Sequence, residues 1–206
     1  MRFSVKILGS GAALPSNGRN PSAQLVTIRN HHLLLDCGEG TQMALKRLST
    51  GPQRISHVFI SHLHGDHYYG LIGLISSYHL LARQWPLHVY GLPGLKEIID
   101  LQLMHSATEL GYPLEFHETD PSRSKIILEN EHFSVRTIPL DHRVPTCGFL
   151  VREKPLKRNI RKDFVNSVDV PLDAFEKIRN GEDFMSADGT RYPNEEITLD
   201  PQPPRS

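Results

Sequence analysis

The chain opens on a two-residue alternation. In RFSVKILGSG, Phe3, Val5 and Ile7 share one face and Ser4 and Lys6 the other, which predicts a half-buried strand ending in a Gly-Ser-Gly turn. SAQLVTI and HHLLLDCG flank Arg29-Asn30 and predict a hairpin. GEGTQMALKRL then places Met43, Leu45 and Leu48 at helical spacing, and VFISHLH is an apolar strand running straight into histidines. YYGLIGLISSYHLLARQ returns to a helical period, LHVYG reads as a strand, and a further helix is expected from Gly94 to His105. PLEFHET, KIILEN and HFSVRTI predict strands, the last two joined by a short turn near Glu131, and CGFLVRE closes the series. Strand pairs punctuated by single helices indicate α/β layering, a sheet covered by helices.

Beyond Arg152 the periodic apolar runs thin out, so this part is expected not to extend the same core. Charge is unevenly placed there. From Arg152 to Lys162, six Lys or Arg stand against one Glu, net +5; from Asp163 to Ser206, four stand against ten acidic residues, net −6. The basic part can touch phosphate, and the plainer alternative is a solvated surface segment.

Over the 206 residues, 23 basic side chains balance 23 acidic ones, so no overall field draws the chain to nucleic acid or membrane. The two cysteines, Cys37 and Cys147, cannot build a disulfide framework, and their apolar strand surroundings suit buried thiols. Lys6 interrupts the apolar run from Phe3 to Leu8, which argues against a signal peptide, and no stretch is long enough to cross a bilayer. These features predict a soluble protein of a reducing cytoplasm. What remains conspicuous is 12 histidines, because imidazole binds metals and moves protons near neutral pH.

Four of the strongest candidate ligands fall together in HLHGDH, residues 62 to 67. Two histidines at i and i+2 on an extended segment project to one side, so His62 and His64 can grip one metal. Gly65 is expected to turn the backbone sharply and bring Asp66 and His67 back towards the same point. Nitrogen and carboxylate ligands suit zinc, with manganese or iron as substitutes. Four ligands in six residues exceed what one open catalytic site needs, and they fit two metals about 3.5–4 Å apart. The bland alternative is surface histidines that happen to be adjacent. His142, in Pro139-Leu140-Asp141-His142 at the end of HFSVRTI, is the candidate third ligand beside His62 and His64. Asp36 is either a carboxylate orienting a ligand histidine or a turn residue before Gly38. His79, His88, His105 and His117, each standing alone, read as core or surface residues.

HLHGDH is similar to the HxHxDH signature of the metallo-β-lactamase superfamily, whose fold is an αββα sandwich with two metals at the edge of the sheets. More narrowly, LGSGAALPSNGRNPSA, LLLDCGEGTQ, SHLHGDH, YGLPGL and DHRVPTCGFLV resemble, in order, segments of the ribonuclease Z family, endonucleases that remove 3′ trailers from precursor tRNA. The resemblance implies an α/β chain with a metallo-β-lactamase-like domain over residues 1–151, a flexible tRNA-binding arm over 152–200, and the start of a further half at 201–206. It implies that His62, His64 and His142 hold one zinc and Asp66 and His67 the second. Asp66 also serves as general base, with products a 3′-hydroxyl on the tRNA and a 5′-phosphate on the trailer. Arg19 and the arm residues Lys157, Arg158, Arg161 and Lys162 then position the RNA backbone, giving affinity that weakens with salt. Precursor tRNA and a second copy of the chain are the implied partners, with no role for DNA or membrane. In the family the arm often carries a Gly-Pro-rich tip; here the comparable stretch, VDVPLDAFEKIRNGEDF, has only Pro171 and Gly181 of it.

The family's bridging Asp and later histidines have no counterpart within 163–206. The chain is therefore expected to be a fragment or a truncated relative, its sandwich and second metal site incomplete, binding the second metal weakly and cleaving poorly. Two other classes stay open. One is another hydrolase of the superfamily acting on a small phosphodiester, thioester or lactam, with no need of a basic arm. The other is a module without activity that binds tRNA or a partner.

Overall fold

A computed structural model describes residues 3–13, 18–48, 54–201 and 203–205. Residues 14–17 of the stretch LGSGAALPSNGRNPSA, and residues 202 and 206 of the tail, lie outside them. The chain divides into two compact units, Met1–Val151 and Arg152–Ser206.

In the first unit, β1 (Phe3–Gly9), β2 (Ala23–Ile28) and β3 (His31–Leu35) form an antiparallel meander. The hairpin pivots at Arg29, whose φ of 53° gives the tight turn the left-handed residue it needs. From β3 the sheet continues in parallel through β4 (Ile55–Phe59), β5 (Leu87–Gly91) and β6 (Leu114–Glu118), in the order β1-β2-β3-β4-β5-β6. Parallel neighbours require crossovers, and these are α1 (Thr41–Arg47), α2 (Gly65–Leu80) and α3 (Leu95–His105). One core joins the helices to the sheet, with Leu25, Leu34, Val58, Leu71, Leu74, Ile75 and Val89 fully buried.

β7 (Ile126–Glu129), β8 (Phe133–Pro139) and β9 (Cys147–Glu153) form a second sheet. Its Phe133, Val135 and Val151 meet Val26, Ile28, Leu33, Phe59 and Tyr90 of the first sheet in a separate core. The layers thus run helix, sheet, sheet, as the predicted layering requires.

Two expected burial patterns differ. Val5 and Ile7 are 53% and 62% exposed although Phe3, on the same face of β1, packs on the inter-sheet core. Among the described residues the inter-sheet core reaches β1 only at Phe3, so the rest of that face stays open. In α1 the buried stripe is Thr41, Ala44 and Leu45, while Met43 and Leu48 are exposed.

α2 seats unusually close to the chain after β3. Gly70 N–H donates to Cys37 O at 2.9 Å, Cys37 N–H donates to His67 O at 2.7 Å, and a Cβ on Gly70 would stand 2.1 Å from Gly38 O. Glycine is therefore obligatory at this contact.

Residues 152–206, which include the segment expected to be the arm, carry secondary structure of their own. α4 (Lys162–Ser167), α5 (Leu172–Arg179) and α6 (Asn194–Ile197) accompany the paired strands β10 (Asn159–Ile160) with β13 (Thr198–Leu199) and β11 (Phe184–Met185) with β12 (Arg191–Tyr192). Phe164, Ile178, Phe184 and Ile197 form this unit's own small core. The buried Asn194 side chain organises it, donating to the carbonyls of Ile178 and Glu182 at 2.7 Å each. These few anchors each sit in a separate short element.

Candidate metal centre

The centre lies past the carboxyl ends of parallel strands, where α/β sheets place their ligands. Asp36 N–H donates to Phe59 O, and Ile60 N–H to Tyr90 O, each at 2.8 Å, so the ladder extends just beyond β3 and β4 before the chain leaves the sheet. His62 and His64 follow in extended conformation, His64 with φ −76° and ψ 141° as the residue capping α2. His62 Nε2 stands 3.0 Å from His64 Nδ1. Their rings lie 5.1 and 5.5 Å from that of His142, and the three residues each offer a donor atom within 4.8 Å of the others.

His142 arrives on the loop between β8 and β9. Leu140 N–H donates to Thr146 O at 3.3 Å, closing the loop, and Cys147 N–H donates to Ser61 O at 3.1 Å, tying it to the segment before His62.

Asp66 and His67 occupy the first turn of α2. Gly65, expected to turn the backbone sharply, is the first residue of α2, with Asp66 and His67 following it in the first turn. What favours glycine there is Tyr69, whose ring would stand 2.1 Å from a Cβ. Asp66 Oδ2 accepts from Ala13 N–H at 2.9 Å and faces His67 Nε2 at 3.5 Å. Burial works against its charged form, but the Ala13 N–H and the His67 imidazole outweigh it and hold the carboxyl below its ordinary value.

Asp36 lies beside His67 as well as at a turn. It sits at a turn with φ 56°, and its carboxylate collects three donors. Oδ1 accepts from Ser61 N–H at 2.9 Å, and Oδ2 accepts from His67 Nδ1 at 2.7 Å and Ser22 Oγ at 3.1 Å. A carboxylate is acceptor-only when ionised, so Nδ1 of His67 carries a proton; in the neutral ring Nε2 then keeps the lone pair a metal would take, and in the protonated ring its N–H faces Asp66. Burial disfavours protonated His67, yet the hydrogen bond and charge of Asp36 overcome it and raise its pKa. His62 is driven the other way, to about 4, by burial first and then by His67 and His64. Its imidazole is neutral at pH 7, the form that ligates.

The donors fit a divalent metal. Zinc–nitrogen bonds of about 2.0–2.1 Å in tetrahedral array put neighbouring donors ~3.4 Å apart, close to the His62–His64 separation. A cavity of about 630 Å³ opens over these residues, lined among others by Asp36, Asp66, His67 and Phe149.

The basic residues expected to hold RNA are placed differently. Arg19 is exposed on the loop before β2. In the second unit Lys157 pairs with Glu176 at 2.6 Å, and Arg158 pairs with Asp200 at 2.5 Å and donates to Thr198 Oγ1 at 2.6 Å. Arg161 and Lys162 are exposed. Arg143, which drew no notice in the sequence, lines a second depression with His64, Asp66 and Tyr69. Its position directly after His142 was the signal available.

A family profile described as Anti-Pycsar protein Apyc1 matches residues 3–154. Ribonuclease Z of Bacteroides fragilis is 40% identical over 204 residues, which is 99% of this chain and 67% of that protein. Ribonuclease Z of Phocaeicola vulgatus is 39% identical over 204 residues, 99% of this chain and 66% of that one. Among solved structures, the short form of human tRNase Z superposes with a TM-score of 0.65 at 36% identity, covering 71% of this chain and 64% of that one. The chain spans about two thirds of the length of the curated relatives it matches.

Proposed function

The chain belongs to the ribonuclease Z family, its residues 3–154 falling within the family described as Anti-Pycsar protein Apyc1, and from this premise we propose that it carries the N-terminal part of a zinc-dependent endoribonuclease that removes the 3′ trailer from precursor tRNA. The observation that carries the reading is the convergence of His62, His64 and His142 donor atoms beside Asp66 and His67 in one open cavity.

His62, His64 and His142 would hold one ion and Asp66 and His67 contribute to a second. Zinc ions bound there would supply a lowered water pKa and neutralise charge on the phosphoryl oxygens. The chain's own contributions follow from its geometry. Asp36 fixes the His67 tautomer. Asp66, held ionised by Ala13 N–H, takes the proton of the attacking water at a carboxylate oxygen. Arg143, beside His64 and Asp66, sits where it can attract the phosphodiester. Attack on phosphorus leaves a 3′-hydroxyl on the tRNA and a 5′-phosphate on the trailer. Arg19, Arg161 and Lys162 are the exposed cations offered to the RNA backbone, in a protein that works in the cytoplasm as a homodimer.

One observation favours a small phosphodiester instead: Lys157 and Arg158 are engaged by acids of their own unit, which reduces the charge available to RNA. A matched assay of precursor tRNA against bis(p-nitrophenyl) phosphate decides, run on this chain and on the protein extended to its relatives' length. Trailer removal lost by 10²–10⁴-fold in Asp66→Ala supports the RNA reading. Rapid ester hydrolysis with intact tRNA refutes it.

A further inference from the structure

A second group of metal-type donors stands on the sheet and shares no residue with the centre. Parallel register pairs His57 of β4 with His88 of β5, His88 with Glu115 of β6, and Tyr90 with His117. Residues two apart on a strand face the same way, so Glu115 and His117 project together beside His88. His88 Nδ1 stands 3.1 Å from His117 Nε2 and 3.2 Å from Glu115 Oε2, and donors of the three residues all lie within 4.8 Å of one another.

We propose that His88, Glu115 and His117 form an additional divalent-cation site of zinc type, distinct from the centre built on His62. Two imidazoles and one carboxylate are a recurring zinc donor set, leaving the remaining position to water. Both separations approach the ~3.4 Å edge of a tetrahedral zinc shell, so little movement of side chains is required. The rings are also held in place. His57 stacks on His88 with centroids 4.9 Å apart and planes at 17°, and Tyr90 stacks on His117 at 4.4 Å and 17°. A backbone ladder fixes the strands beneath them, which is the preorganisation a tight site needs. The side chains of His88 and Glu115 are 27% and 48% exposed, so an ion has a path in. Among the described residues β6 is the edge of its sheet, paired with β5 alone. A cation bridging the two strands would clamp that edge.

The test is calorimetric titration of chelator-stripped protein with Zn²⁺, using His62→Ala/His64→Ala to disable the centre. The proposal expects this variant to keep one zinc site per chain, and expects affinity to fall at least tenfold when His88→Gln and His117→Gln are added, with circular dichroism unchanged. No binding in the first variant, or undiminished binding in the second, overturns it. If either variant misfolds, the wild-type chain decides. With four equivalents of zinc, enough to fill the centre and the proposed site together, ring ¹⁵N signals of His88 and His117 should shift, and stationary signals overturn the proposal.

Discussion

Replacing Asp36 by Asn is the sharpest probe of how the centre is oriented. The Asp36 carboxylate serves two donors that cannot both be served by an amide: Ser61 N–H on Oδ1, and His67 Nδ1 on Oδ2. A backbone N–H has no alternative role, so the single oxygen of Asn must face Ser61 and its NH₂ must face His67. His67 then accepts at Nδ1, its proton moves to Nε2, and the lone pair a metal would take there is lost. The hydrogen bond removed involves a charged acceptor and is worth about 1.5–3 kcal/mol, enough to invert the tautomer ratio by ten- to a hundredfold. Loss of an orienting partner of this kind weakens metal binding by about 10–100-fold. Global stability should change little, by ~1 kcal/mol or a Tm shift of ~3 °C, because Ser61 N–H keeps its acceptor. Ring ¹⁵N NMR reads the tautomer directly, and competition with a chromophoric chelator reads zinc affinity. A variant that keeps the Nδ1–H form and binds zinc within twofold of wild type refutes the reasoning.

Arg83→Met should lower stability by about 3–5 kcal/mol in denaturant titration, because the fully buried guanidinium donates to the carbonyls of Ile55, Trp85 and Pro86 at 3.0, 2.8 and 2.7 Å, and the variant leaves them without it; a loss below 1 kcal/mol would contradict this. Gly70→Ala should cost about 1–3 kcal/mol, since its Cβ would meet Gly38 O, and thermal melting within 1 °C of wild type would show that α2 can retreat. Burial pushes the thiol of Cys37 up to about 12 and that of Cys147 to about 11. At pH 8 the thiolate fraction is then ~10⁻⁴ for Cys37 and ~10⁻³ for Cys147, against ~0.1 at the ordinary value. Ellman's reagent should accordingly label neither in the native protein and both in guanidinium; fast native labelling would falsify the assignment.

The elements legible in the sequence are those whose signal is local. The β2–β3 hairpin turns on Arg29-Asn30, LHVYG coincides with β5, and HLHGDH announces its own chemistry within six residues. What escaped depends on partners distant in the chain. Val5 and Ile7 alternate correctly, but whether a face is covered depends on how far the inter-sheet core reaches, which alternation does not encode. Residues 152–206 anchor their core on four buried side chains in separate short elements, which only tertiary contacts bring together. His88 and His117 looked solitary because the β5–β6 register, which puts them 3.1 Å apart, is a tertiary fact. Asp36 was ambiguous for a related reason: a turn residue and a carboxylate beside a histidine are the same residue here, and only its distance to His67 separates the roles.

The uneven origin of the centre's residues also bears on assembly. His62, His64, Asp66 and His67 come from one hexapeptide that takes shape as soon as β4 and α2 pack, whereas His142 waits on the loop of the second sheet. An ion gripped by both groups would act as a latch between the two sheets, adding to the inter-sheet core and to polar links such as Cys147 N–H to Ser61 O. Amide protons of β7 to β9 should then exchange faster without metal than with it, while those of β2 to β5 hardly respond. The opening of that latch, rather than global unfolding, would set how quickly the apo chain becomes accessible to proteases.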